Sequence, residues 1–167
     1  DPPLIEKRAP LNFSDSYSDE GAVLIPIAAD DIPGGILDSL PISPDSLRLR
    51  IAIDRTGFVE GWGSLTIPGG TYDVIREKRV EYTETRLDVK VGAGPFATWI
   101  DVTDIAGLDF LGGDTTTTYN FYDENAKEPI AVVTVDNIDN DQVLLVEYKY
   151  NDVMTNVKYV NNGKPDI

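Results

Sequence analysis

TYDVIREKRVEYTETRLDVKV (residues 71–91) runs for 21 residues without glycine or proline, and whether it is helix or strand decides the fold. A helix needs apolar residues three and four positions apart, and the window from 76 to 86 supplies no continuous stripe of that kind. Val74, Val80 and Tyr82 share one parity and Leu87, Val89 and Val91 the other. Together with the β-branched and aromatic content, this predicts a long strand with a bulge near Thr83–Thr85.

The neighbours follow the same period of two. In SLRLRIAID (46–54), Leu47, Leu49, Ile51 and Ile53 alternate with Arg48, Arg50, Ala52 and Asp54, the pattern of a strand with one buried face. FVEGWGSLTI (58–67) is a further strand segment, with TGFVEGWG (56–63) expected as a strand, tight turn and strand. PGG (68–70) is a turn signal. Downstream, residues 97–114 predict a short strand and a glycine-rich loop. Strands follow at 115–123, 128–136 and 142–151, with NIDND (137–141) as a hairpin loop. NVKYV (156–160) predicts a terminal edge strand.

Upstream, Pro26 confines GAVLIPIAA (21–29) to an edge or bulged strand. Residues 30–46 form a long loop with three prolines, and loops of that length are often functional. The expected plan is an extended lead-in over 1–20 with an edge strand near Asn12–Asp15, one β domain over 21–160, and a frayed tail over 161–167. The fold class is all-β, an antiparallel sandwich or jelly roll.

Composition narrows the chemistry. The 167 residues suffice for one core without staples. The absence of cysteine and histidine excludes disulfides, Ser-His-Asp and Cys-His catalysis, cysteine-containing zinc sites, and haem held by His or Cys. What remains is carboxylate, lysine, tyrosine or hydroxyl chemistry, and hard cations bound through oxygen. The net charge of −15, with no basic block, argues against nucleic acid and anionic membrane surfaces as partners. No apolar run reaches the ~18 residues of a membrane span. The chain opens on Asp1 with no signal peptide, as a mature or trimmed product would.

Three groups of residues are candidates for function. Trp62, between two glycines, and Trp99 offer flat platforms for a sugar ring, although core packing is the commoner role of a lone strand tryptophan. Asp136, Asp139 and Asp141, with Asn137 and Asn140, supply oxygen ligands for calcium. They do not match an EF-hand, and an acidic hairpin turn is the commoner meaning of such a cluster. Asp30 and Asp31 pose the same choice with less support. Glu60, Glu77, Glu81, Glu84 and Asp101 offer pairs for carboxylate catalysis, but an acidic chain always contains such pairs and a sheet face of charges is usually solvated. Asn12, in NFS, matches a glycosylation acceptor.

GFVEGWGSLTIPGGTYDVIREKRVE (57–81) resembles the string DGYGTLILPGGTYNNVLRVK found in secreted or surface-exposed proteins of Bacteroidota. APLNFSDSYSDE (9–20) resembles their PMxYGDSFSD segment, and TTYNFYDENAKEPIAVVTVD (117–136) their YxWYSPNxKxPLLxI segment. Many members end in a type IX secretion sorting domain, which the sequence to Ile167 does not include. Trp62 stands where tyrosine is usual, and TYDVIREKR where Asn-Asn-Val is common. The resemblance implies export across the outer membrane and β architecture, and no reaction. The expected role is a non-catalytic secreted or cell-surface module binding polysaccharide or a surface protein through Trp62 and Trp99, with calcium optional. The alternatives are a structural or adhesion spacer with both tryptophans in the core, and an enzyme with paired carboxylates in a concave pocket.

Overall fold

The computed structural model describes residues 4–5, 8–28, 31, 46–92, 94–104, 111–139, 142–150 and 153–159. The fold is all-β and antiparallel, the sandwich-like class that the alternating sequence pattern predicts. The strands are β1 (Ser16–Ala28), β2 (Ser46–Ile67), β3 (Gly70–Val91), β4 (Thr98–Asp101), β5 (Gly112–Tyr122), β6 (Ala131–Val135), β7 (Val143–Tyr150) and β8 (Val153–Tyr159). They are hydrogen-bonded in the order β1-β2-β3-β5-β6-β7-β8, with β4 pairing with β3. The registers include Lys90 opposite Trp99, Tyr119 opposite Val133, and Val133 opposite Val146.

The stretch from 71 to 91 is strand throughout, as its periodicity predicts. β2 and β3 each run for 22 residues and are joined at Pro68–Gly69, where Gly69 adopts a φ of +120° that glycine tolerates without strain. β1 carries Pro26 and ends the strand order, a place where a missing N–H costs no ladder bond.

Two local expectations differ from the structure. Asn12–Asp15 is a turn rather than a strand. The Asn12 N–H donates to Asp15 Oδ2 at 2.7 Å, the Asp15 N–H donates to the Asn12 carbonyl at 3.0 Å, and Ser14 has a φ of +71°. Pairing therefore begins at Ser16. The tight turn expected within 56–63 is absent, because β2 is continuous there. Gly57 answers instead to a close approach: a Cβ at this position would overlap the ring of Tyr17. The loop expected over 30–46 and the tail over 161–167 lie outside the described residues, apart from Asp31 and Ser46.

The chain divides into two compact units. The first holds residues 20–54 and 82–114 and has an apolar core. Leu47, Leu87, Val89 and Val102 are buried there, and Ile27, Val91 and Leu111 pack against them. Its buried carboxylate, Asp88, accepts from Arg48 Nε at 2.8 Å. The second holds residues 5–19, 55–81 and the chain from 115 onward. Its interior mixes Val59, Val74, Ile130, Ala131 and Val135 with buried Arg55, Glu77, Thr117 and Asn120. Polar groups in such an interior are costly unless they are paired.

Leu47 is 1% exposed, so Leu47→Ala removes a packed side chain and leaves a cavity, at an expected cost of about 2–5 kcal/mol. Leu144 is 43% exposed, and Leu144→Ala is expected to stay within about 0.5 kcal/mol of the parent. Chemical denaturation followed by far-UV circular dichroism checks both. Equal destabilisation by the two changes would contradict the assigned core.

Candidate functional site

In the second unit, two polar side chains of β3 are drawn into the interior. Glu77 is 1% exposed and Arg79 lies two residues further along the strand, so both project from one face. Tyr17 Oη donates to Glu77 Oε1 at 2.5 Å, and Arg79 Nη2 donates to Oε2 at 3.0 Å. Tyr122 Oη, from the end of β5, donates to the same Oε2 at 3.4 Å and accepts from Arg79 Nη2 at 3.1 Å. Both carboxylate oxygens are thus engaged, and the charge is balanced by a guanidinium. Those are the conditions under which a buried ion pair is tolerated. Arg8 covers the outer face of Tyr17, its guanidinium carbon 4.4 Å from the ring centre, and pairs with Asp19.

This cluster supports one end of a groove of about 1300 Å³. The walls are residues 8–11 of the lead-in, 62–64 of β2, 71–75 of β3, and 122–125 at the start of the β5–β6 connection. Arg8 and Tyr122 belong both to the wall and to the cluster around Glu77, so the buried network fixes where the wall stands. Trp62 is 78% exposed at the groove, and beside it Gly63 borders open space. Among the described residues no cation or ring stacks on the Trp62 indole. Ser64 Oγ donates to Asp73 Oδ1 at 3.0 Å, and the Asn125 N–H donates to Asp123 Oδ1 at 2.8 Å. Each carboxylate is thereby oriented while its second oxygen stays available to a ligand.

The residues singled out by sequence meet different fates. Trp62 lines the groove, against the usual expectation of core packing. Trp99 belongs to the first unit and is 36% exposed, with the Arg48 guanidinium 4.3 Å from its ring centre and the Lys90 ammonium at 6.0 Å. Cations thus occupy the stacking surface that a sugar would use. Asp136 Oδ1 accepts from the Ile138 and Asp139 N–H groups at 2.8 and 2.9 Å. Those amide bonds, led by Asp139, hold its pKa below the usual carboxylate range and serve the turn after β6. Asp141 lies outside the described residues, as does Asp30. Among the described residues, no three acidic side chains converge on a point that could hold a metal ion.

Glu60, Glu81 and Glu84 pair with Arg76, Arg55 and Arg86 at 3.0, 2.7 and 2.6 Å. Burial opposes ionisation of Asp101, but the Thr103 hydroxyl and amide, then Arg86 and Arg50, outweigh it and hold the pKa low. Glu77 departs from the solvated face expected of this set. Sequence reasoning missed its burial and the parts played by Tyr17, Arg79, Tyr122 and Arg8. The available signal was the alternation of sign at 77, 79 and 81 on one face of a strand, which suits mutual pairing.

No family model matches the chain, and no curated protein or solved structure shows significant similarity to it.

Burial, followed by the hydrogen bond to Glu77, pushes the Tyr17 pKa up to about 12. Burial raises that of Tyr122 to about 12 as well, and the Glu77 charge adds to the shift while Arg79 opposes it. Both values lie above the ordinary 10.0, so the folded state favours the protonated phenols. Their contribution to stability is complete below pH ~10 and is lost as pH rises through ~12. An alkaline titration followed by phenolate absorbance is expected to show two of the eight tyrosines ionising last, in step with loss of structure. Tyr17→Phe and Tyr122→Phe should each remove one late phenol. Titration of every tyrosine near pH 10 would contradict the buried cluster.

Proposed function

We propose that the chain is a non-catalytic carbohydrate-binding module, acting in a secreted or cell-surface setting, and that Trp62 is its stacking platform. The observation that carries this reading is the placement of a 78% exposed tryptophan in a groove of about 1300 Å³. An indole left so open on a strand loses the hydrophobic gain of burial, and a flat apolar ligand face would recover it. A sugar ring supplies such a face, with hydroxyl groups at its edge. Oriented acceptors at Asp73 and Asp123 suit those hydroxyls. The likeness of residues 57–81 to exported Bacteroidota proteins supports the setting.

The non-catalytic part rests on the engagement of the buried acid. Glu77 accepts bonds at both oxygens from Tyr17, Arg79 and Tyr122, leaving it committed to holding the wall rather than to moving a proton. Among the described residues no acids converge on an ion at the groove, so the reading rests on Trp62 and leaves calcium optional.

A glycan array probed with the parent protein, with and without chelator, is expected to show selective binding that survives chelation. Trp62→Ala is expected to lower affinity at least ~10-fold, equivalent to about 1.4 kcal/mol, while Trp99→Ala leaves it within about twofold. Equal losses from the two changes, or silence across the array, would overturn the assignment of Trp62 and favour a structural or protein-binding role.

A further inference from the structure

Resting on the carbohydrate reading, we propose that the groove selects saccharides carrying positive charge, namely polymers of amino sugars with free amines, over neutral or acidic ones. The argument starts from the ionic inventory of the wall. Among the described residues, the lining includes three carboxylates, Asp73, Asp123 and Glu124, and one cation, Arg8. Arg8 is committed elsewhere, since it pairs with Asp19 and lies over Tyr17. None of the three acids has an ion-pair partner among the described residues. Elsewhere Glu60, Glu77, Glu81, Glu84 and Asp88 each face an arginine, while Glu20, Asp54 and Glu147 share the unpaired state of the groove acids among the described residues. What distinguishes the groove is that, among the described residues, it sets unpaired negative charge beside an open aromatic face.

Two features decide what kind of cation fits. The acids do not converge closely enough for a shared metal ion, and they come from separate segments, β3 and the β5–β6 connection. Spaced single charges match an extended ligand with spaced ammonium groups rather than one compact ion. The Trp62 indole, with no protein cation stacked on it, attracts positive charge to its face and apolar C–H groups to the same surface. A glucosamine ring offers both at once. An acidic sugar, by contrast, would meet three carboxylates and a protein of net charge −15.

The experiment compares four probes of equal length by calorimetry on the full chain at low salt and about pH 5.5, above ordinary carboxylate pKa values and below those of amines. They are oligomers of glucosamine, of N-acetylglucosamine, of glucose, and of lysine. The expected result is that the glucosamine oligomer binds at least ~10-fold more tightly than its acetylated counterpart. That advantage should shrink in ~0.5 M salt, as exposed charge pairs are screened. D73N combined with D123N should abolish the preference while leaving residual binding to the acetylated oligomer. Both changes keep a side-chain oxygen for Ser64 and for the Asn125 amide, so the local fold is retained, and circular dichroism confirms it. Trp62→Ala should weaken both oligomers.

Equal binding of the acetylated and free-amine oligomers would overturn the charge selectivity and leave the carbohydrate reading standing. Binding of oligolysine as tight as that of the glucosamine oligomer, unaffected by Trp62→Ala, would overturn both, and so would silence toward all sugars.

Discussion

The second unit depends on holding one carboxylate, Glu77, out of water. Glu77 sits on a strand face that packs inward, and a charge there is tolerable only while Tyr17, Arg79 and Tyr122 together satisfy it. Loss of either charged member would leave the other buried and alone, a situation that typically costs about 3–5 kcal/mol. The constraint reaches beyond the ion pair. It fixes a ring from the start of β1 and a ring from the end of β5 against the same side chain of β3. Gly57 is part of the same device, since only a residue without a side chain leaves the Tyr17 ring room to reach Glu77.

The groove inherits its shape from that arrangement. Tyr122 and Arg8 touch the network on one side and the groove on the other, so a paired polar core underlies the wall where the lead-in and the end of β5 contribute to it. Binding residues held by locked neighbours lose less entropy on engaging a ligand than residues on a free loop. The contrast between the two tryptophans follows from their local charges. Trp99 lies opposite Lys90 in the β3–β4 ladder and is capped by Arg48, whereas Trp62 shares its groove with carboxylates and, among the described residues, has no cation on its ring. The same residue type is a structural clamp in one unit and an open platform in the other.

Much of the fold was legible in the sequence because strand periodicity is a local property. The alternation at 46–54 and the missing helical stripe at 76–86 assigned β2 and β3. Pro26 marked an edge strand, and PGG marked the hairpin between the two longest strands. The turn wrongly expected in TGFVEGWG shows where local reasoning ends. Glycine permits both turning and close approach, and which one applies depends on Tyr17, forty residues away. The burial of Glu77 was hidden for the same reason: no spacing within β3 announces that two tyrosines distant in sequence will close over it. Of the candidate site, Trp62 was visible as a residue type. Its exposure was not, because a tryptophan flanked by glycines fits a core and a platform equally well until the surrounding charges are known.

The central claim is that Trp62 is an open platform on a pre-formed groove. Its most direct test is acrylamide quenching of indole fluorescence in the single-tryptophan variant Trp99→Phe, measured before and after saturation with a saccharide from the array. The account predicts strong quenching in the free protein, close to that of an exposed indole, and clear protection when the saccharide is bound. Weak quenching in the free protein, or bound saccharide that leaves quenching unchanged, would contradict it.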